Sequence, residues 1–120
     1  WSSDVCSSDL IGPSFIDFAK QTDDGECVTT ELCNFDLKKY IEKRINKIAI
    51  VFNLDKHTGP GTHWVSMFID LEEKFIFYFD SAGAKIPKEM MELVKTIKQQ
   101  VSSEIHRLFC LSYLNLLVLK

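Results

Sequence analysis

Two short apolar segments, Trp64–Asp70 and Phe75–Asp80, stand four residues apart, and this spacing constrains the 120-residue chain more than any other feature. The intervening Leu71-Glu72-Glu73-Lys74 has the length of a hairpin connection. The second segment is rich in aromatic residues, which suit a pleated, half-buried surface. The two segments are therefore predicted to pair as antiparallel strands. That pairing brings His63, at the mouth of the first strand, towards Asp80, at the end of the second. An imidazole oriented by a carboxylate is two-thirds of a nucleophilic triad.

The neighbouring segments supply a sheet and two helices. Ile48–Asn53 is a continuous, mostly β-branched run that suits a buried strand. From Phe35 to Ile45 the pattern is helical, with Leu37, Tyr40, Ile41, Ile45 and Ile48 on one face and Asn34 or Asp36 as the cap. Pro87 suits the first turn of another helix, whose apolar stripe is Met90, Leu93, Val94, Ile97 and Val101. Residues 11–18 read as a turn and a short apolar segment, and 22–30 as a polar loop. The loop from Asn53 to Gly61 is broken by Gly59-Pro60-Gly61. The reading is one α+β domain over residues 11–102. Residues 1–10, in which Ser-Ser-Asp occurs twice, are set apart as a non-native or disordered leader. Residues 103–120 form a tail in which the pattern degrades.

Composition narrows the function classes. An apolar fraction of 46% excludes bulk disorder. A net charge of −3 with mixed signs argues against a nucleic-acid partner. Cys6, Cys27, Cys33 and Cys110 contain no C-x-x-C pair, so no zinc pattern is present. No secretory leader is visible, and the most apolar run, Leu108–Leu119, is short of the ~20 residues of a membrane span. Free thiols in a reducing cytoplasm are the expectation.

Gly61-Thr62-His63-Trp64, the strand after it, and Tyr78-Phe79-Asp80-Ser81 resemble the cysteine-peptidase family of SUMO proteases and the adenovirus endopeptidase. In that family a His-Trp pair precedes one strand and a Tyr-Asp-Ser variant ends the next. Residues 12–18 (Gly-Pro-Ser-Phe-Ile-Asp-Phe) and Glu31-Leu32-Cys33-Asn34 narrow the likeness to polyprotein proteases of large cytoplasmic DNA viruses. The resemblance covers roughly residues 11–101. It implies a papain-like scaffold, here incomplete at its C-terminus: a small mixed or antiparallel sheet flanked by helices. By the same resemblance His63 is the general base, Asp80 its orienting acid, and Trp64 a wall against water.

The family also carries a glutamine for the oxyanion hole, followed after a few residues by Cys-Gly at the start of a buried helix. No Cys-Gly pair occurs in this chain. Gln99 and Gln100 fall inside the predicted second helix. Cys110 lacks a following glycine, lies only 30 residues past Asp80, and reads as a buried apolar thiol. The nucleophile is therefore unassigned, and the segment after Ser102 reads as truncated or frame-shifted. The family's nucleophile helix packs against the His/Asp sheet. Without it one sheet face lacks cover: either Val65, Met67, Ile69, Ile76 and Tyr78, or Phe68, Phe75, Phe77 and Phe79.

Other constellations are weaker. Asp55, His57 and His63 have a loop spacing that does not aim ligands at one metal ion. Ser81 adjoins Asp80 and points elsewhere than a triad serine would. Cys27 and Cys33 lie upstream of the histidine and match no nucleophile position. The resemblance implies a cysteine-type endopeptidase with no cofactor, located in the host cytoplasm or a virion. Its substrate is a viral polyprotein or ubiquitin-like protein cleaved at an extended Gly-containing site. The alternative is a non-catalytic remnant of the scaffold that acts as a protein-binding module.

Overall fold

The computed structural model describes residues 7–104 and 118–119. A five-stranded mixed sheet runs in the order β1-β2-β3-β4-β5, with β1 at Ser7–Phe15, β2 at Ile45–Asn53, β3 at Trp64–Asp70, β4 at Phe75–Phe79 and β5 at Val118–Leu119. The central pairs β2–β3 and β3–β4 are antiparallel, while β1 and β5 join the two sides in parallel. Helices α1 (Thr30–Cys33) and α2 (Leu37–Glu42) fall between β1 and β2, and α3 (Lys88–Glu104) follows β4.

The β3–β4 hairpin forms as its sequence predicts. Asp70 is buried and closes the turn, its Oδ1 accepting the backbone N–H groups of Glu72 and Glu73. Cross-strand pairs Ile69–Ile76 and Met67–Tyr78 share one sheet face, and Phe68–Phe77 and Ser66–Phe79 share the other. The first face is the core. Val65, Met67, Ile69 and Ile76 join Ile48, Ile50 and Phe52 of β2 and the α3 stripe Met90, Leu93, Val94, Ile97 and Val101 in one buried cluster. The second face keeps Phe77 and Phe79 about half exposed, together with Trp64 and Leu10. The α3 stripe thus covers the Val65 face and leaves the Phe77 face.

Three sequence expectations shift. The first helix stops at Glu42, and Ile45 and Ile48 belong to β2. Arg44 takes a positive φ of 57°, which ends the helical turn and redirects the chain into the strand. Helical spacing at Ile45 coincides here with the start of a strand whose burial alternates residue by residue. Second, α1 adds one helical turn after the predicted loop. Third, β1 extends back to Ser7, inside the segment set apart as a leader. Ser7–Leu10 are all exposed, so no apolar pattern marks them. They are held by backbone pairing, including Ser7 N–H to Arg44 C=O at 2.8 Å.

Asp36 caps α2, accepting from Lys38 N–H. Gln100 of α3 completes that helix start from the other side. Its Oε1 accepts Leu37 N–H at 2.7 Å, and its Nε2 donates to Phe35 C=O at 2.7 Å. The Gln100 carboxamide is therefore occupied in joining α3 to α2. Among the described residues no helix is long and apolar enough to cross a membrane.

Candidate active site

The end of the β3–β4 hairpin places the two residues singled out in the sequence. The register pairs Ser66 with Phe79, so one step further Asp80 lies opposite Val65. His63 is two residues before Val65 and on the same face, which makes it the diagonal neighbour of Asp80. Their side chains meet at 2.7 Å, His63 Nε2 to Asp80 Oδ1. The Asp80 carboxylate is only 2% exposed, and the imidazole is 35% exposed.

Asp80 is fixed from its own side as well. Its Oδ1 also accepts Ala82 N–H at 2.8 Å, closing an Asx-type turn at the end of β4. That backbone N–H, then the His63 ring, holds the carboxyl below its ordinary value despite burial. Its second oxygen, Oδ2, is buried and has no hydrogen-bond partner among the described residues. Tyr78, two residues back on the same face, has its hydroxyl raised first by burial and then by the Asp80 charge.

A carboxylate only accepts, so His63 Nε2 carries the proton of that bond. In the neutral ring Nδ1 then presents a lone pair. The arrangement can therefore take a proton at Nδ1 and stabilise the resulting imidazolium through Asp80.

The loop between β2 and β3 delivers His63. Leu54 N–H bonds to His63 C=O at 2.9 Å, continuing the β2–β3 ladder past its last pair, Asn53–Trp64. Asp55 Oδ2 accepts both Thr62 N–H at 2.7 Å and Thr62 Oγ1–H at 3.0 Å. Gly61 makes this neck feasible. Its φ is 75°, and a Cβ there would stand 3.0 Å from the Asn53 carboxamide nitrogen. Further round the loop, His57 bonds to Asp17. Sequence reading missed this contact because forty residues separate the partners and neither lies in a periodic segment.

The other predicted residues fall apart from the pair. Trp64 alternates to the opposite face of β3 and is 48% exposed. Ser81 is exposed. Asp55 and His57 engage Thr62 and Asp17, and among the described residues no group of His, Cys, Asp or Glu side chains could hold a metal ion. Cys27 and Cys33, expected as free thiols, are joined in a disulfide. The Gln21–Cys27 bridge and the turn into α1 bring them together, a proximity invisible in a spacing of six residues. Neither can offer a thiolate to His63. Cys110 lies outside the described residues.

The mixed sheet with a helical layer on one face is the papain-like fold, and the His63–Asp80 pair lies at the end of its central hairpin. The fold is shared with the crystal structure of the ASFV pS273R protease, with a TM-score of 0.62 at 23% identity over 92% of this chain and 39% of that one. The chain belongs to the Ulp1 protease family, whose C-terminal catalytic domain matches residues 18–110. The cysteine protease S273R of an African swine fever virus tick isolate is 34% identical over 80 residues, 65% of this chain and 29% of that protein. R355 of Acanthamoeba polyphaga mimivirus is 32% identical over 77 residues, 62% of this chain and 26% of that protein. The chain thus spans between a quarter and a third of the length of these curated relatives.

Proposed function

We propose that this chain carries the base and the orienting acid of a cysteine endopeptidase. His63 takes the proton of a cysteine thiol at Nδ1 and returns it to the leaving amine. Asp80 holds the ring by Nε2 and stabilises its protonated form. The observation that carries this reading is the 2.7 Å contact between a one-third-exposed imidazole and a carboxylate that is almost wholly shielded from water. The reaction passes through an acyl-thioester and needs no cofactor. The thiolate comes from outside the described residues.

The substrate is a protein with an extended Gly-containing site. The resemblance of residues 12–18 and 31–34 to viral polyprotein proteases favours a polyprotein; some relatives are named SUMO-1 cysteine protease, which keeps a ubiquitin-like protein as the second substrate class. The site of action is the host cytoplasm or the virion, and the Cys27–Cys33 bond suits the virion better.

The test is cleavage of a Gly-Gly-containing peptide by the longest gene product that includes these residues. His63→Ala and Asp80→Asn should each lower kcat/KM by roughly 10³–10⁴. Undiminished cleavage by His63→Ala overturns the reading. The alternative is a non-catalytic binding scaffold of the same fold. It predicts that the longest product retains a partner but cleaves nothing.

A further inference from the structure

The ten-residue loop from Leu54 to His63 is tied down at its neck and again, further out, to the chain that follows β1. At the neck, Leu54 N–H holds His63 C=O and Asp55 hooks Thr62. The second tie reaches out to the turn after β1. There the Asp17 carboxylate grips His57 with both oxygens: Oδ1 accepts the backbone N–H at 2.9 Å, and Oδ2 meets ring Nδ1 at 2.6 Å. The carboxylate is 11% exposed and the imidazole 31%, so the contact is sheltered on the side of the body and open on the side of the loop.

A loop fastened only at its neck can swing about it, and each added attachment removes conformational freedom. Here the attachments form a series. The β1–β2 pairing ends at Phe15–Asn53, Ile16 N–H reaches Asp55 C=O at 3.4 Å, and Asp17 takes His57. Asp55, between these points, turns its side chain back to Thr62, the residue before His63. A displacement of His57 would therefore be passed through Asp55 and Thr62 to the histidine.

We propose that Asp17 and His57 are positioning residues for His63, bracing the loop that delivers it so that its ring meets Asp80 through Nε2. The proposal rests on His63 and Asp80 being the functional pair. A purely structural role for Asp17 would change the stability of the loop and leave the His63 ring in its wild-type state. A positioning role changes the ring itself.

The test is imidazole nitrogen magnetic resonance on the 120-residue chain, with Asp80→Asn as the reference for a lost pair. Wild-type His63 should show the Nε2–H tautomer bonded to Asp80. In Asp17→Asn and in His57→Gln, the share of that tautomer should fall towards the Asp80→Asn level. Exchange of the Leu54 amide should speed up about tenfold, the scale set by losing a charge-assisted hydrogen bond. Amides of the β3–β4 ladder should keep their protection. If Asp17→Asn does not fold, His57→Gln decides, because its side chain is partly exposed. A folded variant with the wild-type His63 signature overturns the positioning role and leaves the functional pair standing. A wild-type chain that never shows the Asp80-bonded tautomer overturns the pair, and the positioning role with it.

Discussion

Asp80 holds His63 by Nε2 and, through the same oxygen, the backbone N–H of Ala82, so one carboxylate oxygen fixes both the imidazole and the turn that ends β4. The imidazole is thus oriented by a group that is itself locked by the backbone. A mobile carboxylate would leave the ring free to rotate and the tautomer unspecified.

That contact has a pH signature. The folded-state Asp80 carboxyl lies below its ordinary value of 3.8, held there by Ala82 N–H and His63. A depressed acid contributes stability that is fully present above its unfolded value and is lost as pH falls through the folded one. The difference in unfolding free energy between wild type and Asp80→Asn should therefore hold steady down to about pH 4 and shrink below it. Urea unfolding at a series of pH values measures this. A difference already gone at pH 5 counts against the lowered carboxyl.

Gln100 offers a test of how the helices are joined. Its carboxamide serves Leu37 N–H and Phe35 C=O at once. Gln100→Ala should cost about 1–3 kcal/mol, since it leaves two partly buried backbone groups without their partner. Gln100→Glu keeps an acceptor for Leu37 but sets an oxygen against the Phe35 carbonyl, so it too should destabilise. Chemical denaturation of both variants separates hydrogen bonding from packing: Glu matches Gln in size, and a neutral Gln100→Glu together with a costly Gln100→Ala would assign the effect to packing.

The sequence was informative where one element alone decided the outcome. The α3 stripe, the limits of β3 and the hairpin connection follow from period and spacing, and the diagonal meeting of His63 with Asp80 follows from the hairpin. It was uninformative where several elements cooperate. Gln100 reads as an ordinary helix residue until α2 is packed beside it. Asp17 and His57 become a pair only when β1 lies parallel to β2. Ile45 fits a helix by spacing, and Arg44 at positive φ assigns it to a strand. Cys27 and Cys33 read as unrelated thiols until the turn into α1 folds them together.

The chain's own chemistry is predicted to be silent. It contains no Cys-Gly pair, and Gln100 is engaged with α2. The 120-residue chain should show no turnover of a Gly-Gly reporter and no covalent labelling of Cys110 by a thiol-reactive substrate mimic. Mass spectrometry of the labelled chain reads this directly. Labelling of Cys110 that disappears in His63→Ala would make Cys110 the nucleophile and reverse the assignment.

The last prediction concerns the sheet face opposite the core. Leu10, Trp64, Phe77 and Phe79 are 63%, 48%, 43% and 53% exposed, and the Phe77 and Phe79 rings stack at 6.4 Å. Phe68 and Phe75 extend the same face, their rings 6.0 Å apart. Full burial of one such side chain is worth roughly 1.5–3 kcal/mol, so several half-exposed rings forfeit an amount comparable with a sizeable part of a domain's total stability of about 5–15 kcal/mol. An exposed apolar face of this kind favours association. The chain should therefore bind a hydrophobic-surface dye and self-associate as concentration rises. Phe77→Thr keeps a β-favouring residue on the strand while removing the ring. It should lower dye binding and association while shifting unfolding by no more than about 1 kcal/mol, because the residue contributes little to the core. Cooperative, monomeric unfolding of the wild-type chain with no dye bound would show that this face is covered, and the expected association would then be wrong.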